Sequence, residues 1–165
     1  VVTTTTRKQR PREVEGVDYN FVTNDEFSRM TREGSFLEQA EVYGNWYGVP
    51  KEEVRKAILA GKHAILKIDI QGAATIRNIF PTAISIFMVP ETIQELESRL
   101  LKRSTENKVE LNVRVNIARS ELEHSKEFEY IVVNRESEID RTAASIDAII
   151  TAEMCKSVPR ITSIV

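Results

Sequence analysis

Residues 5–22 read TTRKQRPREVEGVDYNFV, a stretch in which two arginines, Arg7 and Arg10, stand three positions apart. The β-branched run before them has strand propensity, so both arginines follow the end of a predicted strand. Each guanidinium offers a planar fork that matches phosphate oxygens. Gly16 permits a turn that brings the Tyr19 hydroxyl back as a further donor. The stretch therefore indicates an anion site, whereas an isolated Arg-x-x-Arg pair is more often a solvated basic loop.

The residues around this stretch predict short elements separated by charged loops. We predict a strand at 18–22, a helix from Asn24-Asp25 to Gly34, a short strand pair around 36–38 and 41–43, and a helix with Pro50 at its first position and Gly61 as its stop. Short strands and charged loops of this kind are typical of a lobe inserted into a larger sheet.

The second part of the chain alternates apolar strands with amphipathic helices. Strands are predicted at 63–69, 83–89 and 130–133, and helices at 73–79, 92–102, 113–125 and 137–156. Thr92-Ile93-Gln94-Glu95 has the pattern of a capping box at a helix start. Continuous apolar strands that alternate with helices predict an α/β fold built on a parallel sheet.

The composition limits the class of protein. The 165 residues suffice for about one domain, and 41% hydrophobic with 29% charged residues is typical of a soluble globular chain. A net charge of −2 gives no global positive field, so we expect no nucleic-acid partner.

Cysteine content and hydropathy exclude further classes. The single cysteine, Cys155, rules out an internal disulfide and a cysteine-based metal site, so we expect no resident metal. The longest mainly apolar run, 83–89, is far shorter than the roughly 20 residues that span a bilayer. We therefore expect no membrane partner and a reducing, cytoplasmic location. The sequence indicates no oligomeric state.

The whole stretch 5–22 resembles the guanylate kinase signature, with every signature position filled as in that family. The resemblance extends from Val2 to about Ile150. It continues through Phe36-Leu37-Glu38, Gly44-Asn45-x-Tyr47-Gly48, Ile68-Asp69-x-Gln71-Gly72-Ala73, Arg103-x-Thr105 and Val132-Val133-Asn134.

This resemblance implies a nucleoside monophosphate kinase of the P-loop type, an α/β fold with an inserted GMP-binding lobe and a lid. The chain would be a single guanylate-kinase-like domain, 1–165, with the lobe at 3–62, the core at 63–100 and 116–165, and the lid at 101–115. The implied activity is transfer of the γ-phosphoryl group of ATP to GMP, which gives GDP and ADP. GMP and ATP are the implied partners, and Mg²⁺ would arrive with ATP rather than sit in a dedicated protein cage.

The resemblance also assigns roles to individual residues. In the family, the counterparts of Arg7, Arg10, Tyr19 and Tyr47 hold the GMP phosphate, that of Thr3 supplies a nearby hydroxyl, those of Glu38 and Asp69 read guanine, and those of Arg103 and Arg114 clamp the transferring phosphoryl group. Guanine presents N1–H and the N2 amino group, and one carboxylate accepts from both. Adenine lacks this donor pair and would leave a buried carboxylate unpaired, which discriminates by about 10⁴-fold or more.

The largest departure from the family is that the 165 residues contain no P-loop. No glycine is followed by another five positions later, and the only Gly-Lys pair, Gly61-Lys62, continues into His63. Either a segment precedes Val1, which we favour because the chain opens abruptly on a strand, or the natural protein lacks ATP binding. The sequence does not decide between an active and an inactive 165-residue chain, and we expect this chain to bind GMP and hardly any ATP.

A second functional class competes with the enzyme. A guanylate-kinase-like module without catalysis would use the same pocket for a phosphopeptide, or bind nucleotide without ATP turnover. The intact acceptor signature and the retained Glu38 favour the enzyme, because a peptide binder needs no base-reading acid.

Smaller departures fall on four positions. Val49 stands where the family has a Ser or Thr that donates to guanine O6, and valine has no donor. Lys67 replaces a usual acid and could pair with Asp69 or contact a phosphate. Leu101 and Val113 occupy lid positions that are often basic, so phosphoryl transfer should be slower while nucleotide binding is kept.

Overall fold

The computed structural model describes residues 1–103, 108–158 and 160, without the side chains of 102, 103, 108–112 and 114. The chain divides into two compact units, one from Val1 to Pro81 and one that begins at Thr82. Each unit contains its own sheet and its own helices.

The first unit contains a four-stranded mixed sheet. Its strands are β1 (Thr4–Thr5), β2 (Asn20–Phe21), β3 (Phe36–Val42) and β4 (Asn45–Pro50), in the order β2-β1-β4-β3. β1 pairs parallel with β2 and antiparallel with β4, and β4 pairs antiparallel with β3. The strands predicted at the N-terminus and at 18–22 are thus confirmed, although both are shorter than predicted.

The predicted strand pair at 36–38 and 41–43 is wrong. These residues form one strand, β3, whose side chains alternate between buried and accessible positions, and its hairpin partner is β4. The turn consists of Tyr43 and Gly44, which both have positive φ angles of 50° and 72°. Two successive positive φ angles are the geometry of the tightest hairpin turns, which matches the twist of the flanking strands. The sequence pattern did not reveal that β3 continues across Ala40.

Three helices complete the first unit: α1 (Asn24–Arg32), α2 (Lys51–Leu59) and α3 (Ile70–Ile79). Thr23 caps α1 by accepting the Glu26 N–H at 3.2 Å. Gly34 and Gly61 follow α1 and α2 with φ angles of +67° and +66°, which confirms both as helix stops. Pro50 is the N-cap of α2 rather than its first residue, and it supplies no side-chain cap.

One face of this sheet packs against α1 through aromatic rings. Phe27 of α1 stacks on Phe36 of β3 with ring centroids 4.5 Å apart, and it lies 5.9 Å from Trp46 of β4. Gly48 lies under the Phe36 ring, where a Cβ atom would come within 2.7 Å of the ring. The aromatic part of the core of the first unit therefore lies on this face, whereas α3 packs against the opposite face, which carries Glu38.

The predicted buried strand at 63–69 is wrong. Residues 62–69 form no regular element, and exposed and half-buried side chains alternate from 63 to 68, but no strand of the described chain pairs with them. Ile65 is 62% exposed. A strand requires a neighbouring backbone to complete its hydrogen-bond ladder, and the apolar pattern alone does not supply one.

The second unit carries the predicted parallel pairing. β5 (Ile86–Val89) and β6 (Tyr130–Val133) form a two-stranded parallel sheet, and the helices are α4 (Ile93–Arg103), α5 (Lys108–Glu123) and α6 (Ile139–Met154). The helix predicted at 113–125 thus begins earlier and ends in a 3₁₀ turn at His124–Glu127. No helix among the described residues combines the length and the apolar character that a membrane span requires.

The start of α4 confirms the predicted cap with one difference. Thr92 Oγ1 accepts the Glu95 N–H at 3.1 Å, as a capping box requires. The Glu95 carboxylate, however, accepts from the Glu91 N–H at 3.0 Å, one residue before the cap itself. The hydrogen bond that the Glu95 carboxylate accepts therefore comes from the residue before the N-cap, instead of from the N-cap itself.

Candidate functional site

Several of the predicted site residues share the sheet face opposite α1. Glu38 pairs across the hairpin with Val49, and Ala40 with Tyr47. Directly paired residues in an antiparallel ladder point to the same face, and residues two apart on a strand do so as well. Glu38 and Tyr47 therefore lie on one face. Thr5 of β1 lies on the same face, because it pairs with Tyr47 across the β1–β4 ladder.

Thr3 precedes Thr5 by two positions and belongs to the same face. Its side chain is buried, at 5% exposure. Its backbone oxygen accepts the Asn20 N–H at 2.9 Å, which joins the start of the chain to β2. Thr3 thus lies next to β2 and directly before β1, the strand that pairs with β4, which carries Tyr47.

The basic loop after β1 folds around an internal carboxylate, Glu13. Arg7 Nη2 donates to Glu13 Oε1 at 2.7 Å, and the backbone N–H of Arg10 donates to Glu13 Oε2 at 2.8 Å. The Arg10 guanidinium is 3.6 Å from the same carboxylate. The predicted convergence of the two arginines on one anion is therefore found, and in this structure that anion is Glu13.

The two arginines differ in exposure. The side chain of Arg7 is 13% exposed, whereas that of Arg10 is 50% exposed. Burial lowers the pKa of Arg7, but the hydrogen bond and the charge of Glu13, with a contribution from Tyr47, together outweigh burial, so this pKa lies above its ordinary value. Burial raises the pKa of Glu13, and the hydrogen bonds from Arg7 and Arg10 outweigh that effect and hold it below its usual range. Both partners are thus charged at neutral pH.

Aromatic rings hold Arg7 in place. Its guanidinium lies 5.2 Å from the centroid of the Tyr19 ring and 5.6 Å from that of Phe21. The Tyr19 ring meets Tyr47 edge-on at 6.0 Å. These contacts bring Arg7, Tyr19 and Tyr47 into one cluster, as the sequence predicts for a phosphate site.

Gly16 makes the turn that brings Tyr19 back, as predicted. Its φ is +73°, and its N–H donates to the Tyr19 carbonyl at 2.9 Å. A residue with a Cβ atom is strained at this φ, so glycine is the residue that fits here. The return places Tyr19 beside β1, within reach of the arginine loop.

Glu38 has the environment of a ligand-binding acid. It is 5% exposed, and its Oε2 atom is buried with no hydrogen-bond partner among the described residues. Burial, followed by the negative charge of Asp69, raises the pKa of Glu38 to about 7. An unpaired buried acceptor costs free energy unless a ligand satisfies it. Such an atom therefore points to a donor supplied from outside the chain.

Asp69 lies beside Glu38 at the start of α3. It is the N-cap of this helix, and its Oδ1 atom accepts the Gly72 N–H at 2.8 Å. The sequence predicts Asp69 as a base-reading acid but does not predict this cap. The capping bond engages one carboxylate oxygen and fixes the side chain close to Glu38.

Two positions at which the chain differs from the family, Val49 and Lys67, lie in the first unit, and the structure shows what each contacts. Val49 is fully buried opposite Glu38, so it adds apolar packing at the position where the family has a hydroxyl. Lys67 lies with its ammonium nitrogen 4.5 Å from the centroid of the Tyr19 ring. Of the two alternatives for Lys67, the ion pair with Asp69 is not formed among the described residues.

The lid positions are only partly described. Arg103 ends α4 and Arg114 lies within α5, and their side chains are outside the described residues. Leu101 and Val113 are exposed, at 56% and 52%. The phosphoryl-clamping roles of Arg103 and Arg114 therefore stay predictions.

Two residues of the site were not assigned roles from the sequence, Glu13 and Gly72. Glu13 stands three positions after Arg10, and this spacing of opposite charges was the available signal. Gly72 gave no comparable signal, because its closeness to Glu38 comes from the packing of α3 against β3.

The described residues do not fit a resident metal ion. Within 1–103, 108–158 and 160 there is no group of three His, Cys, Asp or Glu side chains that could hold one.

A model of the guanylate kinase family matches residues 1–153, which is most of the chain. The chain belongs to the guanylate kinase family. The resemblance seen in the motifs is thereby confirmed, and with it the α/β fold class of this family of kinases.

Individual guanylate kinases agree with this family assignment. The chain is 43% identical over 155 residues to the guanylate kinase of Halalkalibacterium halodurans, covering 94% of this chain and 75% of the relative. It is 43% identical over 149 residues to that of Coxiella burnetii, covering 90% of this chain and 71% of the relative. The crystal structure of guanylate kinase from Anaplasma phagocytophilum matches with a TM-score of 0.80 at 35% identity, covering 94% of this chain and 76% of that one.

Proposed function

We propose that the protein is an ATP:GMP phosphotransferase whose acceptor site is the sheet face that carries Glu38 and Tyr47. In the reaction, a phosphate oxygen of GMP attacks the γ-phosphorus of ATP. The new P–O bond forms as the bond from the γ-phosphorus to the bridging oxygen breaks, and the products are GDP and ADP. The family assignment supports this reaction, and the acceptor-site geometry supports GMP as the substrate.

The observation that carries the proposal is the unpaired Glu38 carboxylate. Within the part of the chain that the structure describes, its Oε2 atom is buried without a hydrogen-bond partner, on a side chain that is 5% exposed. The N1–H and N2 amino donors of guanine satisfy both carboxylate oxygens together. Adenine offers no such pair and would leave the buried oxygen unsatisfied, which favours GMP over AMP.

The cluster around Tyr19 supports binding of the acceptor phosphate. Arg7, Arg10 and Lys67 contribute three positive charges, and the Glu13 carboxylate balances one of them. The excess of two charges matches a phosphate monoester, which carries about −1.5 to −2 at neutral pH. The hydroxyls of Tyr19 and Tyr47 add donors that need no counter-charge.

The proposed roles of this site are positional and electrostatic. The arginines and tyrosines fix the acceptor phosphate, and Glu38 and Asp69 fix the base. Because both ends of GMP are held, the attacking phosphate oxygen has a defined position relative to the base-reading acids. No side chain has to act as a covalent nucleophile. Mg²⁺ supplies charge neutralisation on the donor phosphates when it arrives with ATP. Arg103 and Arg114 would stabilise the charge that develops on the transferring group.

The present residues support the acceptor half of the reaction more fully than the donor half. The 165 residues contain no Gly-x₄-Gly-Lys-Ser/Thr loop, the element that cradles ATP phosphates in this type of kinase. We therefore expect the 165-residue chain to bind GMP and to bind ATP hardly at all.

Calorimetry on the 165-residue chain tests the proposal. GMP, inosine monophosphate, AMP and ATP are titrated separately into the wild type and into Glu38→Gln. Inosine monophosphate keeps N1–H and lacks the N2 amino group, so it should bind with intermediate affinity. Glu38→Gln should reduce the preference for GMP over AMP while it leaves AMP binding nearly unchanged.

Two results contradict the proposal. Equal affinity of the wild type for GMP and AMP removes base reading by Glu38. Binding of a phosphoserine peptide more tightly than GMP supports the non-catalytic module instead.

A further inference from the structure

Gly72 lies in the first turn of α3, against the carboxylate of Glu38. A Cβ atom on Gly72 would stand 2.7 Å from Glu38 Oε2, 2.9 Å from Cδ and 3.1 Å from Oε1. Real Cβ atoms do not approach an oxygen this closely, so the present position of the Glu38 carboxylate exists only because residue 72 has no side chain. The same carboxylate is the base-reading group of the proposed function.

Backbone geometry does not explain a glycine at this position. Gly72 follows the N-cap Asp69 by three residues within a regular helix, and its φ is not in the left-handed region, unlike that of Gly16 or Gly61. Glycine in a helix costs about 0.5–1 kcal/mol relative to alanine. Helix stability alone therefore favours alanine, and the space taken by Glu38 is what requires glycine.

We propose that Gly72 is a positioning residue for guanine recognition, because the absence of its side chain sets where the Glu38 carboxylate stands. This inference rests on the proposed function, in which Glu38 accepts hydrogen bonds from guanine. Gly72 also donates its N–H to Asp69 at 2.8 Å, so one residue fixes both acids of the base site. The base site thus depends on the backbone of Gly72 as well as on the two carboxylates.

A side chain at residue 72 should weaken the recognition of guanine and should not prevent folding. The atoms that a Cβ would meet are the far end of the flexible Glu38 side chain, which can rotate away. Gly48 offers the matched contrast, because its Cβ would meet the Phe36 ring at 2.7 Å, and that ring is held by its stack on Phe27. Gly48→Ala should therefore lower stability, whereas Gly72→Ala should displace the carboxylate.

The test uses five proteins: the wild type, Gly72→Ala, Gly48→Ala, Glu38→Asp and the double variant Gly72→Ala/Glu38→Asp. Calorimetry measures the ratio of the Kd for AMP to the Kd for GMP, and thermal unfolding measures stability. We expect Gly72→Ala to lower this ratio about tenfold or more, the order of one lost charge-assisted hydrogen bond, with little change in Tm. Gly48→Ala should lower Tm and keep the ratio.

The double variant and an NMR titration provide readouts that a merely structural role would not change. The shorter Asp side chain has room beside a methyl group, so Glu38→Asp should cost less GMP affinity in the Gly72→Ala background than alone. The ¹³C shift of the Glu38 carboxyl carbon reports its titration without any nucleotide. In Gly72→Ala its pKa should move from about 7 towards the ordinary value, because the displaced carboxylate becomes more hydrated.

The outcomes separate this inference from the proposed function. A wild type that does not distinguish GMP from AMP overturns the proposed function, while the titration in Gly72→Ala still tests the placement of Glu38. A Gly72→Ala variant that keeps both the wild-type ratio and the wild-type titration overturns the role of Gly72 and leaves guanine recognition by Glu38 intact.

Discussion

The ammonium nitrogen of Lys67 lies 4.5 Å from the centroid of the Tyr19 ring, the same ring that the Arg7 guanidinium approaches at 5.2 Å. Two cations around one ring repel each other, and the electron-rich ring offsets only part of this repulsion. A phosphate beside Tyr19 would relieve the rest. A lysine in place of the usual acid therefore adds positive charge to the proposed phosphate site.

Replacing Lys67 by methionine should weaken GMP binding roughly two- to fivefold, the magnitude of an exposed charge interaction. Guanosine, which has no phosphate, should bind equally to the variant and the wild type. Lys67→Arg keeps the charge and serves as the matched control. The effect should shrink between 0.05 and about 0.5 M salt because exposed charges are screened. An equal loss of guanosine affinity would show that Lys67 acts on the base site or on the fold.

Arg10 and Arg7 should differ in what their replacement by alanine changes. Arg10 is half exposed and packs on no aromatic ring in the described residues, so Arg10→Ala should raise the Kd for GMP roughly ten- to hundredfold and leave Tm nearly unchanged. Arg7 is mostly buried between Glu13 and two rings, so Arg7→Ala should raise the Kd and also lower Tm. Calorimetry and thermal unfolding on both variants measure the two effects. An unchanged Kd in Arg10→Ala would remove Arg10 from the acceptor site.

Base recognition should depend on pH through Glu38. Its pKa of about 7 means that the carboxylate is half protonated at neutral pH, and only the charged form accepts both guanine donors. Guanosine binding should therefore tighten by about tenfold from pH 6 to pH 8, as the charged fraction rises across this pKa. Guanosine is the proper probe because the phosphate of GMP titrates in the same range. Glu38→Gln should bind guanosine weakly and without this pH dependence.

Glu38 should also make the stability of the protein depend on pH, and stability should fall over the pH range in which guanosine binding tightens. Its pKa is raised in the folded state above the ordinary value of 4.5, so the folded state holds more protons between these two values. The free energy of unfolding that Glu38 contributes is thus full below about pH 4.5 and is lost as the pH rises through about 7. The difference in free energy of unfolding between wild type and Glu38→Gln, measured in urea, should fall over this range. A constant difference would contradict the raised pKa.

The second unit should depend on a buried carboxylate in α6. Glu153 is 5% exposed, accepts from the Tyr130 hydroxyl and contacts Lys156 Nζ at 2.6 Å and Arg160 Nε at 3.0 Å. The hydrogen bond from Lys156, followed by that from Tyr130, lowers the pKa of Glu153, so its contribution is present above about pH 4.5 and is lost as the pH falls.

Glu153→Gln should therefore lower Tm at pH 7.5, and the difference from the wild type should narrow towards pH 3.5. Asp147→Asn, on an exposed position of the same helix, is the matched control and should leave Tm unchanged. A Glu153→Gln variant with the wild-type Tm at pH 7.5 would contradict a stabilising role for this cluster.

The correct and incorrect sequence predictions have different physical causes. The Gly34 and Gly61 stops, the Thr92 cap and the Gly16 turn were predicted correctly because each depends on residues within a few positions. The strand at 63–69 was predicted wrongly, because an apolar run does not reveal whether a backbone lies beside it. The break placed inside β3, between 38 and 41, was wrong for the related reason that a local pattern does not reveal the hairpin partner β4, which extends the strand.

The sequence by itself determined the family, the residues proposed for the acceptor site and most helix ends, because motifs and caps consist of short stretches of chain. Only the tertiary structure decided that Arg7 and Arg10 share Glu13, that Lys67 lies over Tyr19, and that Gly72 makes room for Glu38. These relationships join residues whose distance depends on how a loop closes or how α3 packs on β3. The charge and the burial of each group follow from that packing, and no local pattern in the chain encodes them.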